Sequence, residues 1–274
     1  MEQKIKVKKG TVEETLLLPL WGRATEAEKP KPRLVDKKAI EIIKSLDYDF
    51  STMNKTQSMS QHGWVTRSLL IDRKINEFLK EHPEGTVVNV GCGLETNFTR
   101  VDNGKMLFYN LDLPDVIELR KSFFEDSERC KSIASSFLDT RWFDEIEVKD
   151  GLLCVAGGVL YYRNEAEVKE FFRAAADRFK ECDFYFDSLS PQAMNFAKKA
   201  VIKKGGMGMS MDGGWGLKPI KSLETWDKRF KVISAIPINK GMRNGLSLPM
   251  KIASYIPDIL GMCSMVHLRM KSNE

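Results

Sequence analysis

Apolar residues follow two different spacings along the chain, and the change of spacing marks the predicted elements. Short runs of branched and aromatic residues recur after residue 85, separated by segments in which apolar residues repeat every three to four positions. Seven runs are predicted as strands: 86–90, 107–111, 132–135, 151–156, 184–187, 230–236 and 263–270. Strands that alternate with helices indicate a doubly wound α/β fold with a mostly parallel seven-stranded sheet.

The pattern before residue 60 is helical, with one apolar face in each of the segments 11–23 and 37–46. A further helix over 64–81 ends before Pro83, because the residue preceding a proline disfavours helical geometry. We therefore predict an N-terminal helical cap over 1–60 and a Rossmann-like domain over 61–274. The later helices are predicted at 97–101, 114–124, 141–146, 165–179, 192–203 and 248–260.

The segment 203–218 is unusual in composition, with six glycines and three methionines around Trp215. It is predicted to be a mobile loop, because glycine adds backbone freedom. Met207, Met209 and Met211 are flexible thioethers that could close over an apolar ligand. Ordinary loop packing is the alternative interpretation.

Composition narrows the compartment and the partners. Lys and Arg number 43 against 38 Asp and Glu, and the excess is spread along the chain, which argues against a nucleic-acid partner. Five cysteines without a Cys-x-x-Cys pair favour a reducing compartment, and three histidines lack the spacing of metal ligands. No apolar run is long enough for a bilayer. We expect a cytoplasmic protein without a metal site or membrane partner.

The loop Gly91-Cys92-Gly93 follows the first predicted strand directly. In a doubly wound fold this loop meets a nucleotide, and glycine lets a ligand approach the backbone closely. The loop alone fits a simple tight turn equally well. Asp112 ends the next strand, 19 residues after Gly93, where a carboxylate accepts hydrogen bonds from ribose hydroxyls. A helix N-cap before Pro114 is the alternative, compatible role for Asp112.

Thr96, three residues after the glycine loop, helps to distinguish between nucleotide cofactors. Dinucleotide-binding loops carry a third glycine there, which brings the helix close beneath a pyrophosphate. S-adenosylmethionine has no pyrophosphate, so the shorter signature favours methyl transfer over hydride transfer. A nicotinamide-dependent oxidoreductase stays the alternative.

Several segments together give the chain a family resemblance. They are 90–96, 112–116, 133–136 and 158–162, supported by Arg23-Ala24, Arg67, Ile71-Asp72, Phe186-Asp187 and Trp226. With these motifs the chain resembles the leucine carboxyl methyltransferase superfamily over nearly its whole length, and especially the polyketide-type O-methyltransferases. The resemblance implies a class I fold, S-adenosylmethionine as cofactor, and a hydroxyl or carboxylate of a small molecule as methyl acceptor.

The resemblance also implies roles for individual residues at the cofactor site. The cofactor would be bound by the glycine loop, Gly91, Cys92 and Gly93, and by Asp112 and Leu113. Asp112 would hold its ribose. Arg67 would bind the carboxylate of the cofactor through two charge-assisted hydrogen bonds. The alternative interpretation is a surface arginine on an amphipathic helix. Ser136 and Phe137 match the adenine-binding pair, although Ser136 replaces the usual acid. Asp139 is a possible substitute for that acid.

A second departure from the family concerns Gly157, which belongs to the predicted cofactor site. The family commonly has a glutamate at this position, near the methionine moiety of the cofactor. Its loss leaves two interpretations open. Gly157 could enlarge the pocket, or it could mark a protein that binds the cofactor without turning it over.

No catalytic base is assigned from the sequence. A carboxylate acceptor is ionised near neutral pH, whereas a hydroxyl acceptor must lose a proton during or before attack. The candidate bases are His62, Tyr161 and Asp187, although a lone histidine is more often structural. By resemblance, the N-terminal helices with Arg23 would form the remaining wall of the acceptor pocket.

Overall fold

One sheet organises the protein. The computed structural model describes residues 4–7, 12–51, 53, 58–203 and 214–272. In these ranges seven strands pair in the order β3-β2-β1-β4-β5-β7-β6. The strands are β1 Thr86–Val90, β2 Leu107–Asp112, β3 Cys130–Ala134, β4 Leu152–Ala156, β5 Glu181–Leu189, β6 Phe230–Pro237 and β7 Cys263–Lys271. β7 is antiparallel to both β5 and β6, and the first five strands are parallel. The predicted sheet is confirmed.

Helices form the cap and cover both faces of the sheet. They are α1 Val12–Ala27, α2 Lys37–Ser45, α3 Ser58–Glu81, α4 Asn97–Val101, α5 Pro114–Lys121, α6 Glu165–Arg178, α7 Pro191–Lys203 and α8 Leu248–Ile259. The predicted boundary between residues 60 and 61 falls inside α3, and the division into two parts stays a prediction. None of the helices in the described ranges has the length and apolar content needed to span a membrane.

Two local predictions fare differently. The predicted helix 141–146 is wrong, because Thr140–Asp144 forms a 3-10 turn, in which the Asp139 side chain accepts a hydrogen bond from the Arg141 amide. Of the predicted glycine-methionine loop, residues 204–213, including Met207, Met209 and Met211, lie outside the described residues. Trp215 is described, and it is buried against Trp226 with ring centroids 5.1 Å apart.

The core explains why the central strands are apolar throughout. Every residue of β1 and β4 is buried, because helices cover both faces of the sheet. Alternate residues of β1 point to different clusters: Val88 packs in the cluster that contains the aromatic side chains of α6, and Val87 packs against α3. The apolar residues of the helices and the alternating residues of the strands therefore pack together in two layers, one on each face of the sheet.

Parallel pairing places the candidate site residues at one edge of the sheet. Val90 at the end of β1 pairs with Leu111 on one side and with Ala156 on the other. The segments that follow β1, β2 and β4 consequently start side by side. The chain reverses its order of strands between β1 and β4, and this is where ligands bind in open α/β sheets.

The cap is attached to this edge by apolar and ionic contacts. Leu94, just after the glycine loop, packs in one cluster with Leu17 and Leu20 of α1 and Ile42 of α2. Beside it lies a group of five buried or half-buried charges that we name the cap network: Arg23, Asp36, Asp72, Glu95 and Arg100.

Asp36 is the centre of the cap network. Its Oδ2 accepts hydrogen bonds from Arg23 Nε and from an Arg100 guanidinium nitrogen, each at 2.9 Å, and its Oδ1 accepts from the Ala39 amide at 2.9 Å. The Asp36 side chain is fully buried. Both arginines therefore depend on one carboxylate that has no access to water.

Asp36→Ala should lower the free energy of unfolding by about 3–5 kcal/mol, because removing one member leaves buried charges without compensation. Urea titration followed by tryptophan fluorescence measures the change. Glu41→Ala is the matched control, since Glu41 is 66% exposed and pairs with Lys38 on the surface; its cost should stay below about 1 kcal/mol. Equal losses for the two variants would contradict the role of Asp36.

Candidate functional site

The glycine loop has a conformation that requires glycine at both ends. Gly91 and Gly93 adopt φ values of +63° and +47°. A Cβ on Gly91 would collide with the Cγ2 methyl of Val159, and one on Gly93 would lie 2.9 Å from Leu16 of α1. The amides of Gly91 and Cys92 donate to the Leu111 carbonyl at 2.7 and 3.1 Å. The loop is thus a tight turn, closed over by the cap and by the segment after β4.

Asp112 is bound to this loop. Its Oδ2 accepts a hydrogen bond from the Gly93 amide at 2.7 Å, and its Oδ1 accepts from the Leu113 amide at 2.8 Å. Burial raises the pKa of Asp112, while the two amides act in the opposite direction. Leu113, not Asp112, occupies the cap position of α5, and no side chain caps that helix. The N-cap interpretation of Asp112 is therefore wrong.

Arg120 binds the backbone of the glycine loop, and no sequence pattern predicts this role. Its Nη1 donates to the carbonyls of Gly93 and Glu95 at 2.9 and 2.8 Å, and its guanidinium lies 4.0 Å from the centroid of the Phe124 ring. The residue is 3% exposed. An arginine on a short helix is usually exposed, so only its burial reveals this role.

Arg67 lies against the segment that follows β4. Its Nη1 donates to Asp187 Oδ2 at 3.1 Å, and the Gly158 amide donates to Asp187 Oδ1 at 2.6 Å. Gly158 has a φ of +80°, and a Cβ there would lie 2.6 Å from Arg67 Nη1. The surface-arginine interpretation is wrong, because the Arg67 side chain is only 14% exposed. Within the described chain, the Asp187 bond is the one hydrogen bond of its guanidinium.

Gly157 lies beside Arg67, and the space next to it is filled. A Cβ at this position would lie 2.9 Å from the Cδ1 methyl of Ile71 and 3.3 Å from Arg67 Nε. These two side chains occupy the place where a family glutamate would start. The missing side chain has therefore let Arg67 approach the backbone rather than leaving an open pocket.

The adenine-binding candidates lie after β3. The Ser135 amide donates to the Asp112 carbonyl at 2.9 Å, which fixes this segment beside β2. Ser136 Oγ accepts from the Leu138 amide at 3.3 Å, and Phe137 is buried against Phe171. The Phe137 amide has no hydrogen-bond partner among the residues that are described. Within the described ranges this N–H is therefore a candidate donor for a ligand.

Asp139, the possible substitute acid, is turned away from this role. Its carboxylate pairs with the exposed Arg141 and caps the 3-10 turn. That pairing lowers the pKa of Asp139 to about 2. The acid is therefore committed to a local turn.

His62 belongs to a different polar group. Arg33 donates to its Nδ1 at 2.9 Å, and its Nε2–H donates to Asn239 Oδ1 at 2.9 Å. Burial lowers the pKa of His62, and the Arg33 charge lowers it further. Both ring nitrogens are engaged, so the imidazole is neutral and has no lone pair directed at a ligand.

Tyr161 and Arg23 are buried, in different surroundings. Burial raises the pKa of Tyr161 well above its usual range, and the Asp187 charge adds to this effect. Arg23 is 1% exposed and belongs to the cap network, and its part in an acceptor wall stays a prediction. The predicted cofactor residues, in contrast, gather along one edge: Arg67, Gly91, Cys92, Gly93, Asp112, Leu113, Ser136, Phe137 and Gly157.

Gly91→Ala should lower the free energy of unfolding through two effects, a left-handed φ and the collision with Val159. Gly104→Ala is the matched control, because Gly104 has φ +80° and nothing within 4 Å of its Cβ position. Gly91→Ala should cost at least about 1 kcal/mol more than Gly104→Ala in urea titrations. Equal costs would show that the contact with Val159 is unimportant.

Comparisons with known proteins identify the family of the chain. The family described as leucine carboxyl methyltransferase matches residues 17–176. The tetracenomycin polyketide synthesis O-methyltransferase TcmP of Streptomyces glaucescens is 31% identical over 215 residues, which cover 78% of each chain. The S-adenosyl-L-methionine-dependent methyltransferase dpfgK of Gibberella zeae is 26% identical, with 78% of each chain covered.

A solved structure supports the fold independently. The plantazolicin methyltransferase BamL, in complex with a triazolic desmethylPZN analog and SAH, superposes with a TM-score of 0.51 at 10% identity, covering 96% of this chain and 100% of that chain. These matches replace the hydride-transfer alternative with a methyltransferase that uses S-adenosylmethionine. The chain belongs to the leucine carboxyl methyltransferase family and is an S-adenosylmethionine-dependent O-methyltransferase of the class I fold.

Proposed function

We propose that the cofactor of this methyltransferase lies along the carboxyl edge of the sheet and that the acceptor is the carboxylate of a small, polyketide-like molecule. One observation carries the cofactor part: the Asp112 carboxylate is fixed to the glycine loop through the Gly93 amide. A carboxylate oxygen has a second lone pair, so Asp112 can still accept bonds from the two ribose hydroxyls.

The donors and acceptors of this edge fit the groups of S-adenosylmethionine. The free Phe137 amide is a donor for the adenine ring. The unused nitrogens of Arg67 are donors for the carboxylate of the methionine moiety. When bound, the cofactor supplies a methyl group on a positively charged sulfur. The residues of this edge would hold that methyl group in line with an acceptor oxygen.

The cap serves to exclude water. Leu16 of α1 packs directly over Gly93, and Leu94 joins the apolar cluster of the cap. A site closed in this way strengthens electrostatic contacts and prevents hydrolysis of reactive groups.

The acceptor class is inferred from the state of the three candidate bases. His62 has both nitrogens bonded, and Tyr161 holds its proton. A proton taken up by Asp187 would neutralise its carboxylate and end the ion pair with Arg67. An acceptor that arrives already ionised needs no base, and a carboxylate meets this condition near neutral pH. The name of the polyketide relative supports a small-molecule acceptor. Cytoplasmic localisation and the lack of a nucleic-acid partner stay predictions from composition.

Asp112→Ala should weaken the binding of S-adenosylhomocysteine by about 1.5–3 kcal/mol, because the bonds of a charged, largely buried carboxylate to the ribose are lost. Isothermal titration calorimetry measures the affinity. Asp115→Ala is the matched control, since Asp115 is exposed three residues further on; its affinity should be unchanged. An unaltered affinity in Asp112→Ala would contradict the ribose role.

The acceptor proposal predicts a difference in pH dependence between acceptor classes. Methyl transfer to an aromatic carboxylate should be nearly constant between about pH 6 and 9, because such acids are ionised throughout. Transfer to a phenol should rise with the ionisation of the phenol itself, which has a pKa near 10. Mass spectrometry of the products measures both rates. A phenol that is methylated faster than any carboxylate at pH 6 would contradict the proposal.

A further inference from the structure

We infer that Asp187 binds the ammonium group of the cofactor's methionine moiety, in place of a side chain at position 157. This inference rests on the proposed function, in which Arg67 binds the carboxylate of the same moiety. An α-amino acid carries both charges on one carbon, and each charge needs a partner when it leaves water. Arg67 can serve only the negative one.

The contact between Arg67 and Asp187 places a positive and a negative group side by side, as the two charges of the methionine moiety require. The side chain of Arg67 is 14% exposed and that of Asp187 is 4% exposed. The distance from Arg67 Nη1 to Asp187 Oδ2 is 3.1 Å. A zwitterion placed beside such a pair sets its carboxylate against the guanidinium and its ammonium against the carboxylate. The four charges then alternate in sign, and no net charge is buried.

Asp187 keeps the acceptor capacity that an ammonium group requires. Its Oδ1 accepts one bond from the Gly158 amide, and its Oδ2 accepts one from Arg67. An ionised carboxylate has about four acceptor positions, so roughly two stay available. The Gly158 amide also fixes the carboxylate at the segment following β4, next to Gly157.

The other acids near this edge are committed to different partners. Glu95 is held by Arg23 and Arg100, and although burial raises its pKa, these arginines hold it down to about 2. Asp112 is bound by the amides of Gly93 and Leu113. Of the described acids, Asp187 is the one that forms an ion pair with Arg67.

A purely positioning role for Asp187 is the competing explanation, because the same contact would orient Arg67. The two roles differ in the ligand group on which they act. If Asp187 only orients Arg67, its loss weakens the grip on the ligand's carboxylate. If Asp187 binds the ammonium, its loss matters only for ligands that have an amino group.

The test compares two ligands by calorimetry: S-adenosylhomocysteine and its deaminated analogue, which keeps the carboxylate. In Asp187→Asn, affinity for S-adenosylhomocysteine should fall roughly 10- to 100-fold, as for a hydrogen bond to a charged group. Affinity for the deaminated analogue should change less than about threefold. Equal losses for both ligands would overturn the inference and leave Asp187 a positioning residue. If the native protein binds neither ligand, the proposed function fails instead.

A second variant tests the inference without removing Asp187. Gly157→Glu places another carboxylate beside the same group. Gly157 has no left-handed φ, and the new side chain fits once the terminal methyl of Ile71, 2.9 Å from the Cβ position, shifts aside. Preference for S-adenosylhomocysteine over the deaminated analogue should increase at least about fivefold, as for a hydrogen bond to a charged group. Gly157→Gln, of the same shape, should leave it unchanged. An unchanged preference in Gly157→Glu would count against an ammonium at this place.

Discussion

The buried carboxylate of Asp36 is the contact on which the arrangement of the site depends. It joins Arg23 of the cap to Arg100 of α4, and Arg100 in turn holds Asp72 on α3 and Glu95 next to the glycine loop. Two cations and three anions out of water are stable only as a complete set. The cap, the long helix α3 and the glycine loop are therefore fixed together by charges as well as by apolar contacts.

Much of the fold was readable from the sequence, because strand and helix spacing both reflect burial. β1 and α4 are predicted at their observed bounds: β1 is a run of mostly branched apolar residues that ends at the glycine loop, and α4 is a short segment between that loop and the turn at 102–104. The glycine loop and Asp112 were readable because their chemistry depends on residue type and spacing. Arg120 and Asp36 were not, because a buried charge differs from an exposed one only in what surrounds it.

Gly157 shows how one missing side chain changes a neighbourhood. The family match alone left open whether its loss enlarges a pocket. In the structure, Arg67 and Ile71 take up that space, and Arg67 meets Asp187 across the glycine pair. Local sequence could not predict this outcome, because it results from α3 and β5 meeting at the end of β4.

The close contact between Gly91 and Val159 also constrains how the protein can change over time. The β-carbon that Gly91 lacks would fall on a methyl of Val159, and the two residues belong to segments following different strands. No residue is smaller than glycine, so the constraint acts in one direction: a side chain at position 91 needs a residue smaller than valine at position 159, and its left-handed φ is strained even then. Glycine is therefore required at position 91 for two independent reasons, the neighbouring side chain and the backbone conformation.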